Sequence, residues 1–528
     1  MRILVSEKLA DKGIEILKES GHEVDVRLDL TPEGLLAVIP EYEALIVRSA
    51  TQATREVIEA GINLKIVGRA GVGVDNVDVT AATERGVIVC NAPTSNVISA
   101  AEQTMALMLA IARRTALANA SMKEHKWDRA KFTGNELYQK TLAIFGLGRI
   151  GGLVAERAKS FGMELIGYDP YCSPERAALL GVTKYESIDE ILPLADFITV
   201  HLPKTPETIG MFGREQFAKM KKTVYLVNTA RGGIYEVNAL AEALSTGVVA
   251  GAAIDVYEKE PCTDSPLHSL DNCILTPHLG ASTREAQDRA GEQIAEYVLL
   301  GLAGKMVPTA VNVKLVPDDV MSAVSPYIDA CETCGVFLAQ LAREGISSIE
   351  VKVFGDLAEH DVSLLATSAL RGIFSSTTDD PVNLVNASYI AEHRGIEVSI
   401  VKDPLKYEYT NAVSISAKAG AQALEVGCTI SGPQNVMRIV SVFGNKLDLI
   451  PRKNILVLRY DDKPGKLGRI GMVLGDAHIN ISTMELGLDE KGQGEAIVLM
   501  NLDSPVPADV YAHLCEVVGV SEGWVVEL

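Results

Sequence analysis

The chain has 528 residues, too many for one hydrophobic core, so three or four domains are expected. Hydrophobic residues make up 47% and charged residues 22%, an ordinary globular balance, and no stretch approaches the ~18 uncharged apolar residues that would span a membrane. Lys+Arg 49 against Asp+Glu 69 leaves a net charge of −20, which argues against generic binding to nucleic acid or to an anionic membrane. The start, Met-Arg-Ile-Leu-Val-Ser-Glu-Lys, reads as a strand interrupted by charge, not as a signal peptide, so a cytoplasmic protein is expected.

From residue 1 to about 97, strands expected at 3–5, 23–27, 44–48, 65–69 and 87–91 alternate with helical patterns, which implies a doubly wound parallel sheet. Residues 97–120 predict one long apolar helix linking two domains. A second alternating series runs from 142 to 278, with six strands expected at 142–145, 164–168, 197–201, 225–228, 251–255 and 273–276. A charged helix follows over 284–300, and Pro308 and Pro317 flank an expected linker. A third α/β region covers about 310–451, and the last 76 residues, 453–528, suggest a βαββαβ module. Eight cysteines are too few for a disulfide scaffold. Cys331-Glu-Thr-Cys334 has redox-motif spacing, but it lies in a helical pattern with no second pair to complete a zinc site, so a structural role is expected and no metal.

The most informative segment is Thr141-Leu-Ala-Ile-Phe-Gly146-Leu-Gly148-Arg149-Ile150-Gly151, a strand running into a glycine turn and a helix. Gly146 permits the tight turn, Gly148 lets backbone approach a pyrophosphate, and Gly151 lets helix pack on strand. Free N–H groups at the helix start then face the anion. Asp169 closes the next apolar segment, where a carboxylate can accept from both ribose hydroxyls and repel a 2′-phosphate, so NAD is expected over NADP.

Three polar groups then follow strand ends: Asn228-Thr-Ala-Arg231-Gly-Gly, Glu258-Lys-Glu260-Pro and Thr276-Pro-His278-Leu-Gly280. Ligands of open α/β sheets bind beyond the carboxyl ends of strands, so the three can converge. Their types suit the oxidation of a 2-hydroxy acid. An arginine fork grips a carboxylate and polarises the reacting oxygen, a histidine takes the hydroxyl proton, and an acid on the other ring nitrogen fixes the tautomer.

These motifs resemble the D-2-hydroxyacid dehydrogenase family. Val47-Arg48-Ser49-Ala-Thr, Arg69-Ala-Gly-Val72-Gly73-Val-Asp-Asn76 and Asn91-Ala-Pro-Thr-Ser-Asn96 resemble the branch of it that oxidises 3-phospho-D-glycerate to 3-phosphooxypyruvate at the start of serine synthesis. The resemblance implies an α/β fold of two doubly wound lobes. These are a flavodoxin-like substrate lobe (1–96 plus 284–309) and a Rossmann NAD lobe (97–283). An α/β intervening domain (310–451) and an ACT regulatory domain (452–528) follow. It implies Arg231, Glu260 and His278 as the catalytic group. It further implies a cofactor site of Val72, Gly146, Gly148, Arg149, Ile150, Gly151, Asp169, Leu202, Pro203, Thr208, Thr229, Ala230, Asp255 and Gly280. Substrate would meet Arg48, Ser49, Arg69, Val72, Gly73 and Asn96, together with Arg129 and Lys131 reaching from a neighbouring subunit of a homotetramer. In the tail, Asp462-Lys-Pro464-Gly465 and Ile479-Asn480-Ile-Ser resemble ACT modules, which implies L-serine as an effector at Tyr460, Asp462 and Asn480. Two rival readings are a glyoxylate/hydroxypyruvate reductase on the same catalytic residues, which would not explain the tail, and an NADH-sensing corepressor, against which the acidic charge argues.

Overall fold

A computed structural model describes residues 1–314, 318–378, 381–406, 408–488 and 494–528. Among these residues four sheets organise the chain. The first holds β1 (Arg2–Val5), β2 (Glu23–Val26), β3 (Ala44–Val47), β4 (Ile66–Arg69) and β5 (Ile88–Asn91), all parallel, in the order β2-β1-β3-β4-β5. This is the flavodoxin-like order. Strand β3 reads Ala-Leu-Ile-Val and is buried throughout, because helices cover both faces of such a sheet. The helix Arg284–Leu302 returns to one face, where Ile294, Ala295 and Val298 pack with Ile3, Ile46 and Ile66.

The second sheet holds β6 (Thr141–Phe145), β7 (Glu164–Tyr168), β8 (Thr183–Lys184), β9 (Phe197–Val200), β10 (Tyr225–Asn228), β11 (Gly251–Ile254) and β12 (Cys273–Leu275). All are parallel, in the order β12-β11-β10-β9-β6-β7-β8, so the direction of winding reverses between β6 and β9. Two expectations need correction. A seventh strand, β8, extends the edge beyond β7; its two residues are too short to leave a periodic signal. The long helix over 97–120 is two helices, Val97–Ala112 and Thr115–Lys123, because Arg114 takes φ 50° and interrupts the hydrogen-bond ladder.

The third sheet holds β13 (Ile346–Gly355), β14 (Glu397–Asp403), β15 (Asn411–Ala419), β16 (Gln422–Ser431), β17 (Val436–Val442) and β18 (Asn445–Leu449), and only the β13–β14 pair is parallel. The helices Asp318–Leu341 and Ser363–Ser375 lie with it. Cys331 and Cys334 face Cys428 in that core; contact with Cys428 and burial push both thiols up.

The fourth sheet holds β19 (Asn454–Asp461), β20 (Ile481–Leu488), β21 (Glu495–Leu502) and β22 (Val520–Glu527), antiparallel in the order β20-β21-β19-β22. The helices Lys466–Asp476 and Ala508–Val518 cover one face, a split βαβ arrangement. The centre of the other face is covered as well. Ile455, Val457, Leu499, Trp524 and Val526 join the cluster that contains Phe337, Leu338 and Leu341, and Trp524 Nε1 donates to Leu341 O at 3.0 Å. Among the described residues, no helix is long and apolar enough to cross a membrane.

Candidate active site

The glycine turn follows β6, where the winding reverses, so it opens into the crevice at the carboxyl ends of the strands. Gly146 takes φ +94°, and a Cβ there would lie 2.6 Å from His201 O. A Cβ on Gly151 would lie 2.0 Å from Gly146 O, so only hydrogen fits between turn and helix. At Gly148, which starts the helix Arg149–Ser160, an added Cβ meets nothing within 4 Å. The turn is thus tight where it touches protein and open where a ligand would lie. Arg149 and Ile150 form the first helical turn, with exposed N–H groups. Asp169 stands beside the turn, accepting from Leu147 N at 2.7 Å and Tyr171 N at 2.9 Å, one bond on each oxygen. The other wall follows β9, where Leu202 touches the Gly146 turn and Thr208 Oγ1 donates to Pro203 O at 2.6 Å.

The loops after β10, β11 and β12 are held by side chains. Asn228 accepts from Ala230 N at 3.0 Å and donates to Arg231 O at 3.0 Å, closing the turn that carries Arg231. Thr229 Oγ1 lies 2.7 Å from Thr104 Oγ1, tying that turn to the helix Val97–Ala112. Asp255, fully buried, accepts from Thr276 Oγ1 at 2.5 Å, Leu279 N at 2.8 Å and Gly280 N at 2.9 Å. It therefore clamps both flanks of His278, which takes φ 55°. His278 Nδ1 lies 2.7 Å from Glu260 Oε2, and Glu260 Oε1 accepts from Tyr257 N at 3.0 Å. Burial raises the Glu260 carboxyl, but the bonds to His278 and Tyr257, with the charge of Arg231, outweigh it and hold the group below its ordinary value. His201, the other histidine at a strand end here, is pushed down to about 4 by burial and lies 3.1 Å from Thr199 Oγ1, so it stays neutral at pH 7.

Across the cleft stands the first lobe. Arg231 Nε lies 3.6 Å from Asp75 Oδ2, and its guanidinium abuts Gly73. Val72 O accepts from Asn91 Nδ2 at 2.5 Å, which fixes that glycine-lined turn. Burial lowers the Arg69 guanidinium to about 10, helped by repulsion from Arg231 and Arg48. Arg69 Nε and Asn96 Oδ1 are buried without a hydrogen-bond partner among the described residues. Ser49 is exposed in the adjoining turn. Arg48 and Arg231 thus both lie within electrostatic reach of the largely buried Arg69, in a chain whose net charge is −20.

Other expected site residues lie elsewhere. Arg129 and Lys131 are exposed in a short 3-10 helix, Arg129–Phe132, where Lys131 pairs with Asp128 at 3.0 Å; no hydrogen bond joins them to the cleft among the described residues. In the fourth sheet Asp462 and Asn480 are exposed, but the Tyr460 ring is 1% exposed and packs with Ile470, Leu474 and Leu514 under the helices.

The family model of the D-isomer specific 2-hydroxyacid dehydrogenase NAD-binding domain matches residues 105–280, and that of the D-3-phosphoglycerate dehydrogenase intervening domain matches 323–443. A D-3-phosphoglycerate dehydrogenase of Mycobacterium leprae is 47% identical over 100% of this chain and 99% of its own length. One from Methanocaldococcus jannaschii is 43% identical over 100% of both. The crystal structure of the TT0316 protein from Thermus thermophilus superposes with a TM-score of 0.55, at 36% identity, over 59% of this chain and 100% of that one. The chain belongs to the D-3-phosphoglycerate dehydrogenase family. It is an NAD-dependent dehydrogenase, and the seven-stranded sheet is the heart of its NAD-binding domain.

In this family member, sequence reasoning missed two groups that shape the site. One is the clamp on the His278 loop: Asp255 was expected only at the cofactor. The other is Glu7, whose carboxylate gathers the backbone of the Arg48 turn. Both act through bonds to residues distant in the chain, which no local pattern announces.

Proposed function

We propose that this enzyme oxidises 3-phospho-D-glycerate to 3-phosphooxypyruvate, the first step of L-serine synthesis. The observation that carries the reading is the group of Arg48, Arg69 and Arg231 at a cleft that also holds the His278–Glu260 pair. A substrate with a phosphate and a carboxylate needs that much positive charge, whereas glycerate or lactate does not.

Gly146, Gly148, Gly151 and the N–H groups of Arg149 and Ile150 would hold the pyrophosphate, as the open space at Gly148 allows. Each Asp169 oxygen keeps capacity beyond its one backbone bond, enough for the ribose hydroxyls. Leu202, Pro203, Thr208, Thr229, Ala230 and Gly280 would line the remainder, with Asp255, expected there too, holding the Gly280 turn from beneath, its carboxylate already taken by that loop. Bound NAD supplies the hydride acceptor. Arg231 orients the substrate carboxylate and polarises the reacting oxygen. His278 donates Nδ1–H to Glu260, leaving Nε2 to take the hydroxyl proton, and Glu260 stabilises the charge that results. Arg48 and Arg69 address the phosphate, while Ser49, Val72, Gly73 and Asn96 close around it. Arg129 and Lys131, exposed and outside this cleft, suit the cleft of a neighbouring subunit in a homotetramer.

NADH formation with 3-phosphoglycerate, compared with glycerate and lactate, tests the reading. Equal activity on all three would remove the phosphate from it. Replacing Asp169 with serine is expected to raise the NADP/NAD ratio of kcat/KM at least tenfold, about 1.4 kcal/mol, by removing a charge that repels the 2′-phosphate. An unchanged ratio would take Asp169 out of that role. L-Serine is proposed to inhibit through Asp462 and Asn480, with Tyr460 supporting them from the core. In a serine titration of initial rates, inhibition that survives Asn480→Ala would exclude this site.

A further inference from the structure

Glu7 follows β1, beside the end of β3, and its carboxylate accepts three backbone N–H groups of the turn that carries Arg48. Oε1 takes Arg48 N at 2.8 Å and Thr51 N at 2.8 Å, and Oε2 takes Ala50 N at 3.2 Å. Asn76 closes the turn through its carbonyls, donating Nδ2 to Arg48 O at 2.8 Å and to Thr51 O at 2.6 Å. Arg48 Nη1 donates to Lys8 O at 3.2 Å, so residues 7 and 8 set both its backbone and its side chain. Convergent amides of this kind make an anion nest. Here the protein fills the nest with its own carboxylate. An incoming phosphate therefore cannot sit on those amides and must be met by the guanidinium. Burial raises the Glu7 carboxyl, but its backbone bonds outweigh this and keep it below the ordinary value, so the plug stays charged at pH 7.

We infer that Glu7 is a positioning residue for substrate binding, fixing the 48–51 turn so that Arg48 presents its guanidinium to the substrate phosphate. This rests on the phosphoglycerate reading above. The test uses the full-length enzyme with Glu7→Ala, Glu7→Gln, Arg48→Ala and the Glu7→Ala/Arg48→Ala double variant, each with kcat, KM for 3-phosphoglycerate and KM for NAD. Glu7→Ala is expected to raise KM for 3-phosphoglycerate roughly tenfold, with kcat within about threefold and KM for NAD unchanged. Glu7→Gln keeps the size and one acceptor oxygen, so it should fold and give a smaller rise. In the Arg48→Ala background the Glu7 change should add almost nothing, because it acts through Arg48. An unchanged KM for 3-phosphoglycerate in both Glu7 variants overturns the inference, as does full additivity with Arg48→Ala or a loss confined to kcat. If Glu7→Ala does not fold, Glu7→Gln decides. A wild type that uses glycerate as readily as 3-phosphoglycerate overturns the substrate reading itself, and this inference with it.

Discussion

Replacing His278 with asparagine is expected to lower kcat for 3-phosphoglycerate oxidation by about 10²–10⁴-fold, the usual worth of a positioned acid–base group. NAD affinity, read by a binding titration, should stay within a few-fold. Asparagine suits the position because it tolerates the left-handed backbone found there at φ 55°. The loop itself is held by Asp255 through Leu279 N and Gly280 N, not by the imidazole. The substitution thus removes the proton carrier and leaves its frame. Unchanged turnover would remove His278 from the chemistry. A companion measurement addresses Glu260. Its folded pKa is lowered, so the stability it contributes is fully present above the ordinary glutamate value and is lost as pH falls through the lower folded value. The Tm difference between wild type and Glu260→Gln should accordingly be present at pH 7 and close in acid. A difference independent of pH would mean that the charge is not what matters.

Arg231→Lys is expected to lower kcat/KM by about 10²–10³-fold, comparable to removing one preorganised donor from an oxyanion site. Lysine keeps the charge but lacks the planar fork that holds a carboxylate with two bonds while polarising a third oxygen. The guanidinium is already restrained, with Nη1 donating to Ala230 O at 2.7 Å and Nε beside Asp75. A flexible ammonium would lose that direction. The loss should fall on both kcat and KM, since the same group binds and polarises. A lysine variant with wild-type kcat/KM would show that charge alone suffices.

The glycine turn, Asp169 and the three strand-end motifs were legible in the sequence because each depends on local rules: a turn that needs φ +94° at Gly146, a helix start, a strand that stops. The proximity of Arg231, Glu260 and His278 was legible for a second reason. In a parallel sheet consecutive strand ends point the same way, so order along the chain becomes proximity in space. What stayed hidden depends on packing between distant segments. Glu7 meets Thr51 across 44 positions, and Asp255 meets Gly280 across 25. Nor does a strand pattern say which side of β19 faces the helices, so Tyr460 could be placed on the chain but not turned inward. The mixed third sheet was read only as α/β, since alternation along one strand does not specify whether its neighbour runs parallel or antiparallel.

The apolar surface shared by the third and fourth sheets, with Trp524 seated on the end of the helix Asp318–Leu341, leads us to expect that the two sheets melt together as one cooperative unit. Cutting the chain near residue 453 would therefore not simply remove the fourth sheet. It would strip the cover from Phe337, Leu338 and Leu341 and leave an adhesive remnant. Point substitutions within the fourth sheet, not its deletion, are therefore the way to probe what it does.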